Sequence, residues 1–320
     1  SFYIGGIVYP YNQGMNTSFD YIDSDAELSA FSERLAGAAW LAVDTEFMRE
    51  RTYYAQLALV QIASDRGNAL VDVPALHDLA PLREVFVRED CLKIMHSASQ
   101  DMEVLGQALG VMPTPLFDTQ IAASFLGEPD QIAYANIVRQ RLGVELDKDQ
   151  TRTNWLQRPL SEAQLGYAEA DVLYLRDLYE QLVTELEIKQ RLDWACTESQ
   201  VLAQRTLDSM ELSSAADRLK GLDRFTPSQQ QTARALAIWR EKRARQRDLP
   251  REWVLRKQAL LGIARLHPRS LQQLAEIEGV NDKLVQRLGK ALLREVEQAA
   301  QQEQEGPVLV QLSGEQRGLV

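Results

Sequence analysis

The segment Trp40–Phe47 most constrains how this chain can fold. A run of apolar and β-branched residues leads into Asp44 and Glu46, two carboxylates that are two residues apart. Side chains alternate between the two faces of a strand, so both acids would lie on the same face. Burying two like charges is costly, and a bound cation would offset that cost. A strand that ends in a solvated acidic loop also explains the pair. The Asp-x-Glu pattern by itself favours this second explanation.

The pattern of strands and helices around this segment predicts an α/β domain. A helix is expected at residues 24–35, and the other strands at residues 55–62, 68–73, 91–96 and 116–119. Helical spacing follows at 76–87 and at 99–109, where Gly110 ends the second helix, and a long helical stretch is expected at 161–184. We therefore predict a mixed five-stranded sheet flanked by helices, in a domain that spans residues 15–207.

A second block is all-helical and carries a different charge. The pattern Thr226-Pro227-Ser228 predicts a helix start, and we expect that helix to reach about residue 246. Residues 222–305 contain 16 lysines and arginines against 11 acids, although the whole chain has a formal net charge of −11. We expect a small helical bundle at 222–305, preceded by a linker at 208–221, that can bind a polyanion.

The termini and the composition set further limits. We expect residues 1–14 to be a leader ahead of Met15, and residues 306–320 to be a tail or the start of a second helical module. No run of about 18 apolar residues occurs, so we expect no membrane association. The two cysteines, Cys91 and Cys196, match no metal or redox spacing, which indicates a reducing, cytoplasmic location.

Further acids recur later in the chain at helical positions. Asp101 falls in the first turn of a predicted helix, where the helix dipole favours an acid. Tyr167 and Asp171 are four residues apart and share one helix face. Each feature alone fits an ordinary structural role. Together with Asp44 and Glu46 they favour oxygen ligands for two Mg²⁺ or Mn²⁺ ions about 4 Å apart, an arrangement that supports phosphoryl displacement.

These motifs resemble a known family. Asp44-Thr45-Glu46, His96-x4-Asp101 and Tyr167-x3-Asp171 are similar to the three motifs of the DEDD exonuclease superfamily, tyrosine branch. The resemblance extends to the ribonuclease D family through the runs Arg51–Leu57, Phe117-Asp118-Thr119 and Trp155–Leu160, and it covers residues 20–207. Residues 222–305 resemble the HRDC module, a helical nucleic-acid-binding bundle. The resemblance implies a ribonuclease H-like fold.

The resemblance also implies roles for individual residues. Asp44, Glu46 and Asp171 would hold the ion nearer the nucleophile, Asp44 would bridge to the second ion, and Asp101 would support that ion through water. Tyr167 would orient the attacking water, since a free phenol with a pKa of about 10 is a poor base at neutral pH.

Less direct roles are implied for residues that contact the substrate. Phe47 and Met48 would pack against the terminal nucleotide, His96 would lie near it, and Trp155 and Arg158 would contact RNA. Each has a structural alternative: core packing for Phe47 and Met48, a hydrogen-bonded turn for His96, and a corner that fixes a helix for Trp155 and Arg158. The cations expected to bind nucleic acid are Lys242, Arg243, Arg245 and Arg247, although such a run can simply be a solvated helix face.

The leading hypothesis is a metal-dependent 3′→5′ exoribonuclease that acts on RNA with a free 3′ end, with tRNA precursors as the substrate implied by the family. We expect the protein to be monomeric. One alternative is a 3′→5′ DNA exonuclease, because a carboxylate clamp does not read the 2′-hydroxyl. A second alternative is a non-catalytic RNA-binding scaffold that has kept the exonuclease fold.

Overall fold

The computed structural model describes residues 18–147 and 153–303, together with the backbone of residues 2–4 and 7–9. The contacts divide the chain into two compact units. The first consists of Ser1–Arg49 and Tyr54–Asp208, and the second of Glu50–Tyr53 and Ser209–Val320. No helix in the described ranges is both long enough and apolar enough to cross a lipid bilayer.

A mixed sheet forms the centre of the first unit. Its strands are β3 (Phe19–Ile22), β4 (Trp40–Met48), β5 (Gln56–Ser64), β6 (Asn68–Asp72), β7 (Leu92–Met95) and β8 (Leu116–Asp118). Their order is β3-β6-β5-β4-β7-β8, and a separate antiparallel pair is formed by β1 (Phe2–Ile4) and β2 (Ile7–Tyr9). The main sheet therefore has six strands, and the prediction of five was wrong. The missed strand, β3, is four residues long and lies at the edge of the sheet, so its sequence pattern is short.

The position of β4 decides where its acids lie. It pairs antiparallel with β5 and parallel with β7, so the carboxyl-terminal ends of β4 and β7 lie at the same edge of the sheet. The pairing with β5 shifts register between Glu46 and Phe47, as at a β-bulge. Bulges commonly re-aim side chains next to active sites.

Helices cover both faces of this sheet. They are α1 (Asp25–Leu35), α2 (Ala80–Phe86), α3 (Ser99–Leu109), α4 (Thr119–Ser124), α5 (Tyr134–Leu142), α6 (Glu162–Leu173), α7 (Leu175–Ile188) and α8 (Leu192–Met210), with a 3₁₀ turn at Val73–Ala75. Leu41 and Val43 pack in one core together with Met102 of α3. Trp40 and Ala42 point to the other face and pack with Val172 of α6 and residues of α7.

The stretch predicted as one helix at 161–184 is two helices. Tyr174 separates α6 from α7, and the capping box of Ser161 and Gln164 starts the first of them. Both Tyr167 and Asp171 belong to α6, so their shared face is kept. The helix predicted at 76–87 begins only at Ala80, with Pro81 in its first turn, and a 3₁₀ turn at Val73–Ala75 precedes it.

The second unit contains the helical bundle. Its helices are α9 (Pro227–Arg247), α10 (Arg251–Val254), α11 (Lys257–Leu266), α12 (Leu271–Ala275) and α13 (Asp282–Glu303), with 3₁₀ turns at Ser213–Ala216 and Leu222–Arg224. Leu236, Ile263 and Leu292 are fully buried in its core. Ala216 and Leu219, which fall in the expected linker, pack in this core as well.

Some predictions concern segments that the structure does not describe. Most of residues 1–14 and the tail 306–320 lie outside the described residues. The domain boundaries stay predictions.

Candidate active site

Three carboxylates from two elements form the centre of the candidate site. Strand alternation places Asp44 and Glu46 on one face of β4, and α6 brings Asp171 to them. Each of the three offers a carboxylate oxygen, and these oxygens all lie within 4.8 Å of one another. Helix α6 is fixed there because its Ala168 is buried in a core with Ala58 and Leu59 of β5.

Asp101 joins this group from the N-terminal turn of α3. It is only 8% exposed, and the Thr45 hydroxyl donates a hydrogen bond of 2.5 Å to its Oδ1. Burial raises the pKa of Asp44 most, and the charge of Asp101 is the next largest cause. Asp101 is not within the tight group of three, so it lies beside that group.

The site concentrates negative charge away from water. Burial is the largest cause of the raised pKa of all four carboxyls. The pKa of Asp44 lies well above its ordinary value, and those of Glu46, Asp101 and Asp171 rise to about 9, about 6 and about 7. Neighbouring carboxylates add to the rise at Asp44, Glu46 and Asp171. A crowded set of oxygen donors of this kind fits hard divalent cations.

Tyr167 lies next to Asp171 on α6. A hydrogen bond with its hydroxyl lowers the pKa of Asp171, although burial and the Asp101 charge outweigh that effect. The Tyr167 ring packs against Trp155 with centroids 6.1 Å apart. Trp155 is only 2% exposed, so its contact with Tyr167 corresponds to the structural alternative rather than to direct contact with RNA.

Arg158 is occupied by contacts within the protein. Its guanidinium donates to both carboxylate oxygens of Asp72, at 2.6 and 2.5 Å, and to the Ala58 carbonyl at 2.9 Å. Tyr21 donates a third hydrogen bond to Asp72 at 2.6 Å. Arg158 thus fixes the segment before α6 to the sheet, as the structural alternative describes.

His96 is also held by the protein. Its Nδ1 lies 2.8 Å from the Thr119 hydroxyl and its Nε2 2.9 Å from the Ile132 carbonyl, so both ring nitrogens have partners. Burial lowers the pKa of His96, which favours the neutral ring. The geometry of His96 corresponds to the hydrogen-bonded turn.

Phe47 and Met48 are half-buried, and they pack against cores on opposite faces of the sheet. Part of the Phe47 ring and part of the Met48 side chain therefore remain exposed.

Three residues near the acids were missed from the sequence. Thr45 orients Asp101, and the buried Tyr134 has its pKa raised by burial and by the charges of Asp171 and Asp44. Gln61 pairs with Asp44 across β4 and β5, and its fully buried amide has no hydrogen-bond partner in the described structure. A glutamine within the otherwise apolar run Leu57–Ala63 was the available signal.

The predicted basic run divides into two groups. Lys242 and Arg247 are exposed, and the Arg243 guanidinium lies 5.7 Å from the centroid of the Trp239 ring. Arg245 instead donates hydrogen bonds within the unit, to the Tyr53 hydroxyl at 2.9 Å and to the Met210 carbonyl. Three of the four predicted cations therefore remain available to an external anion.

Comparisons with known proteins agree with this geometry. The 3′-5′ exonuclease family matches residues 19–187, and the HRDC domain family matches residues 229–296. Ribonuclease D of Shewanella sp. (strain ANA-3) is 37% identical over 281 residues, which is 88% of this chain and 72% of that protein. The chain belongs to the ribonuclease D family. This confirms the resemblance and the predicted fold class, apart from the number of strands.

Other members and solved structures support the same placement. Ribonuclease D of Escherichia coli (strain K12) is 36% identical over 282 residues, covering 88% of this chain and 75% of that protein. The crystal structure of E. coli RNase D superposes with a TM-score of 0.81 at 35% identity, covering 91% of this chain and 76% of that one. Brucella melitensis NrnC with bound Mg²⁺ has a TM-score of 0.50 at 28% identity, covering 54% of this chain and 86% of that one. As a ribonuclease D, the chain is a 3′→5′ exoribonuclease.

Proposed function

We propose that this ribonuclease D uses two divalent metal ions to release nucleoside 5′-monophosphates from the 3′ end of RNA. The approach of Asp44, Glu46 and Asp171 to within 4.8 Å of one another carries this proposal. Four neighbouring carboxyls with raised pKa values, of which Asp101 is buried and the others half-buried, form an oxygen donor set suited to Mg²⁺ or Mn²⁺. When bound, such ions lower the pKa of water and stabilise charge on the phosphate.

The residues of the candidate site have distinct roles in this proposal. Asp44, Glu46 and Asp171 would hold one ion, and Asp44 with Asp101 would support the second. Thr45 fixes Asp101 by its hydrogen bond to Oδ1. Tyr167 lies in contact with Asp171 and orients the attacking water through its hydroxyl.

The substrate is proposed from the relatives. The E. coli RNase D structure is described as that of an exoribonuclease involved in structured RNA processing. By analogy we propose that this chain trims the 3′ ends of tRNA precursors and similar RNAs, as a monomer and in the cytoplasm. Light scattering of the purified chain tests the monomer.

The decisive experiment follows a 5′-labelled, 3′-tailed RNA in Mg²⁺, Mn²⁺ or EDTA. We expect a ladder of single-nucleotide steps with either ion and none with EDTA. Asp44→Asn should lower the rate by about a hundredfold or more, because the site loses one of the carboxylates that would hold the ions. Asp193→Asn, at an exposed aspartate in α8, is the matched control and should cleave normally. Endonucleolytic fragments, or an unchanged rate in Asp44→Asn, contradict the proposal.

A second comparison uses a DNA strand of the same sequence and length as the RNA. Faster degradation of the DNA would point to a DNA exonuclease instead.

A further inference from the structure

Gln61 lies on β5 directly opposite Asp44 of β4. Side chains at directly opposed positions of antiparallel strands point to the same face of the sheet, with their Cβ atoms about 5 Å apart. The pairing of β5 with β6 places Leu70 on the other side of Gln61, and strand alternation places Leu59 and Ala63 on the same face. Those three neighbours are buried and apolar. Asp44 is therefore the polar side chain among the four nearest positions.

The amide of Gln61 is buried without a partner. The residue is 0% exposed, and in the part of the chain that the structure describes neither its Oε1 nor its Nε2 makes a hydrogen bond. A buried amide that loses its hydrogen bonds to water destabilises the folded chain. A methionine or a leucine would fill a similar volume without that loss. The stability of the metal-free chain therefore does not explain a glutamine at this position.

Two other acids of the site have a neutral side chain that orients them. The Thr45 hydroxyl donates to Asp101, and the Tyr167 hydroxyl bonds to Asp171. Groups that hydrogen-bond a metal ligand fix the direction in which its oxygens point. The glutamine on β5 is placed to do the same for Asp44, because strand pairing holds the two side chains next to each other. Its amide N–H can donate to a carboxylate and adds no charge to the site.

We propose that Gln61 is a positioning residue for the Asp44 carboxylate. In the metal-loaded chain its amide N–H donates to Asp44 and fixes the orientation in which this carboxylate would hold the ions. This role rests on the proposed two-metal function. Metal binding and the pairing of the amide are then coupled, because the amide is unpaired in the metal-free chain. Removing the amide should therefore stabilise the metal-free chain and weaken metal binding.

The test compares the purified full chain with Gln61→Met, which replaces the amide by an apolar side chain of similar length. The melting temperature without metal should rise by about 2 to 4 °C, because no unpaired amide is buried. Mn²⁺ affinity, measured from the electron paramagnetic resonance signal of free Mn²⁺, should fall about tenfold. Gln61→Leu should give the same two results. A glutamine that only fills space would leave the Mn²⁺ affinity unchanged in both variants, which would overturn the proposal.

Two further measurements show whether Gln61 acts through Asp44. At subsaturating Mn²⁺, Gln61→Met should lower kcat for the 3′-tailed RNA about tenfold, and excess Mn²⁺ should restore most of it. The KM for RNA should not change, because a fully buried side chain does not contact the substrate. In an Asp44→Asn background, Gln61→Met should leave the residual Mn²⁺ affinity as it is, since the carboxylate that it positions is gone. Losses of affinity that simply add would overturn the proposal.

Ser32→Ala is the matched control. Ser32 is a buried residue of α1 in the same unit, and its hydroxyl also has no hydrogen-bond partner among the described residues. Its replacement removes a buried unpaired polar group that is not a neighbour of the acids on the sheet. The Mn²⁺ affinity and kcat of Ser32→Ala should equal those of the parent chain. An equal loss of Mn²⁺ affinity in Ser32→Ala, or a lower metal-free melting temperature in Gln61→Met, would overturn the proposal.

The parent chain separates failure of this inference from failure of the proposed function. If the parent binds Mn²⁺ and hydrolyses RNA, and Gln61→Met does both equally well, only the role of Gln61 is refuted. If Mn²⁺ binding depends on Gln61 but the parent does not hydrolyse RNA, the role of Gln61 is supported and the proposed function is refuted. A parent chain that binds no Mn²⁺ refutes both.

Discussion

Single residues define the chemistry of this ribonuclease D. Asp44 and Glu46 share a face because strand side chains alternate, and Tyr167 contacts Asp171 because they are one helical turn apart. Those relations are local, so the sequence predicts them. Thr45 donates a hydrogen bond to Asp101, and Gln61 lies opposite Asp44 on the adjacent strand. Their proximity depends on register and on the packing of α3.

The substitution Tyr167→Phe tests the role of the Tyr167 hydroxyl. It removes the hydroxyl that bonds to Asp171 and keeps the ring that packs on Trp155. Hydrolysis should fall by about a hundredfold, which is the contribution of a positioned acid–base group. The hydrogen bond lowers the pKa of Asp171, so the acid limb of the pH–rate profile should move to higher pH. A profile and rate like those of the unmodified chain would assign Tyr167 to packing alone.

The stability of the metal-free chain should depend on pH through the same carboxyls. Their folded-state pKa values, about 6 for Asp101, about 7 for Asp171 and about 9 for Glu46, exceed the unfolded ones. The folded protein therefore holds protons that the unfolded chain releases, and its stability falls as pH rises from about 4 to about 9.

Divalent ions should reverse that loss, since they replace the protons. At a concentration of about 100 times the Kd, Mg²⁺ adds about 2.7 kcal/mol. The melting temperature with and without Mg²⁺, at pH 6 and pH 8.5, checks this, and the gain should be larger at pH 8.5. Asp171→Asn should reduce the gain. An equal gain at both pH values would argue against these carboxyls as ligands.

At the scale of elements, the segment before α6 decides whether Asp171 and Tyr167 reach β4. Arg158 and Trp155 fix that segment, one through Asp72 of β6 and the other by packing on Tyr167. Burial raises the pKa of Asp72, but the bonds from Arg158 and Tyr21 outweigh it and lower the pKa. Trp155 and Arg158 thus position α6, and their contact with RNA stays a prediction.

Arg158→Ala should destabilise the first unit by about 3 kcal/mol, because it leaves the nearly buried Asp72 carboxylate without its main partner. The loss of stability should be largest near neutral pH. It should be smaller in acid, where Asp72 is protonated and its bonds with Arg158 no longer stabilise the fold. Urea unfolding measures it. The control Arg205→Ala removes an exposed ion pair with Glu198 and should cost under about 1 kcal/mol. An equal loss of stability in the two variants would contradict a structural role for the Arg158–Asp72 pair.

At the scale of the whole molecule, the second unit is assembled from two distant stretches of chain. It includes Glu50–Tyr53, the segment that follows β4. Tyr53 is 6% exposed, donates to Glu241, and accepts from Arg245 and from Arg251 at 3.1 Å. Burial raises the pKa of Glu241, but the bonds from Arg251 and Tyr53 and the guanidinium charges outweigh it and lower the pKa to about 2.

Tyr53→Phe should destabilise the second unit by about 2 kcal/mol, because a buried charged network loses a donor. The stability that Glu241 contributes is present above its unfolded pKa and is lost as pH falls from about 4.5 to about 2. Without the Tyr53 bond the folded-state pKa of Glu241 is higher, so this loss should be smaller and should be complete at a higher pH. Thermal unfolding at pH 3 and pH 7 measures both effects. Tyr54→Phe, at the neighbouring and 40% exposed tyrosine, should change little. Identical behaviour of the two variants would remove Tyr53 from the core of this unit.

The sequence by itself determined the acidic strand, the Tyr167–Asp171 pair, the order of five of the six strands of the main sheet and the basic helical block. These depend on spacing of two or four residues and on composition, which are local. Tertiary structure decided which similar residues do different work. Trp155 is buried against α6 whereas Trp253 is exposed, and Arg245 is held by Tyr53, 192 positions away, whereas Arg247 is exposed. Burial of a side chain is set by which distant segment covers it, and a local pattern does not contain that partner.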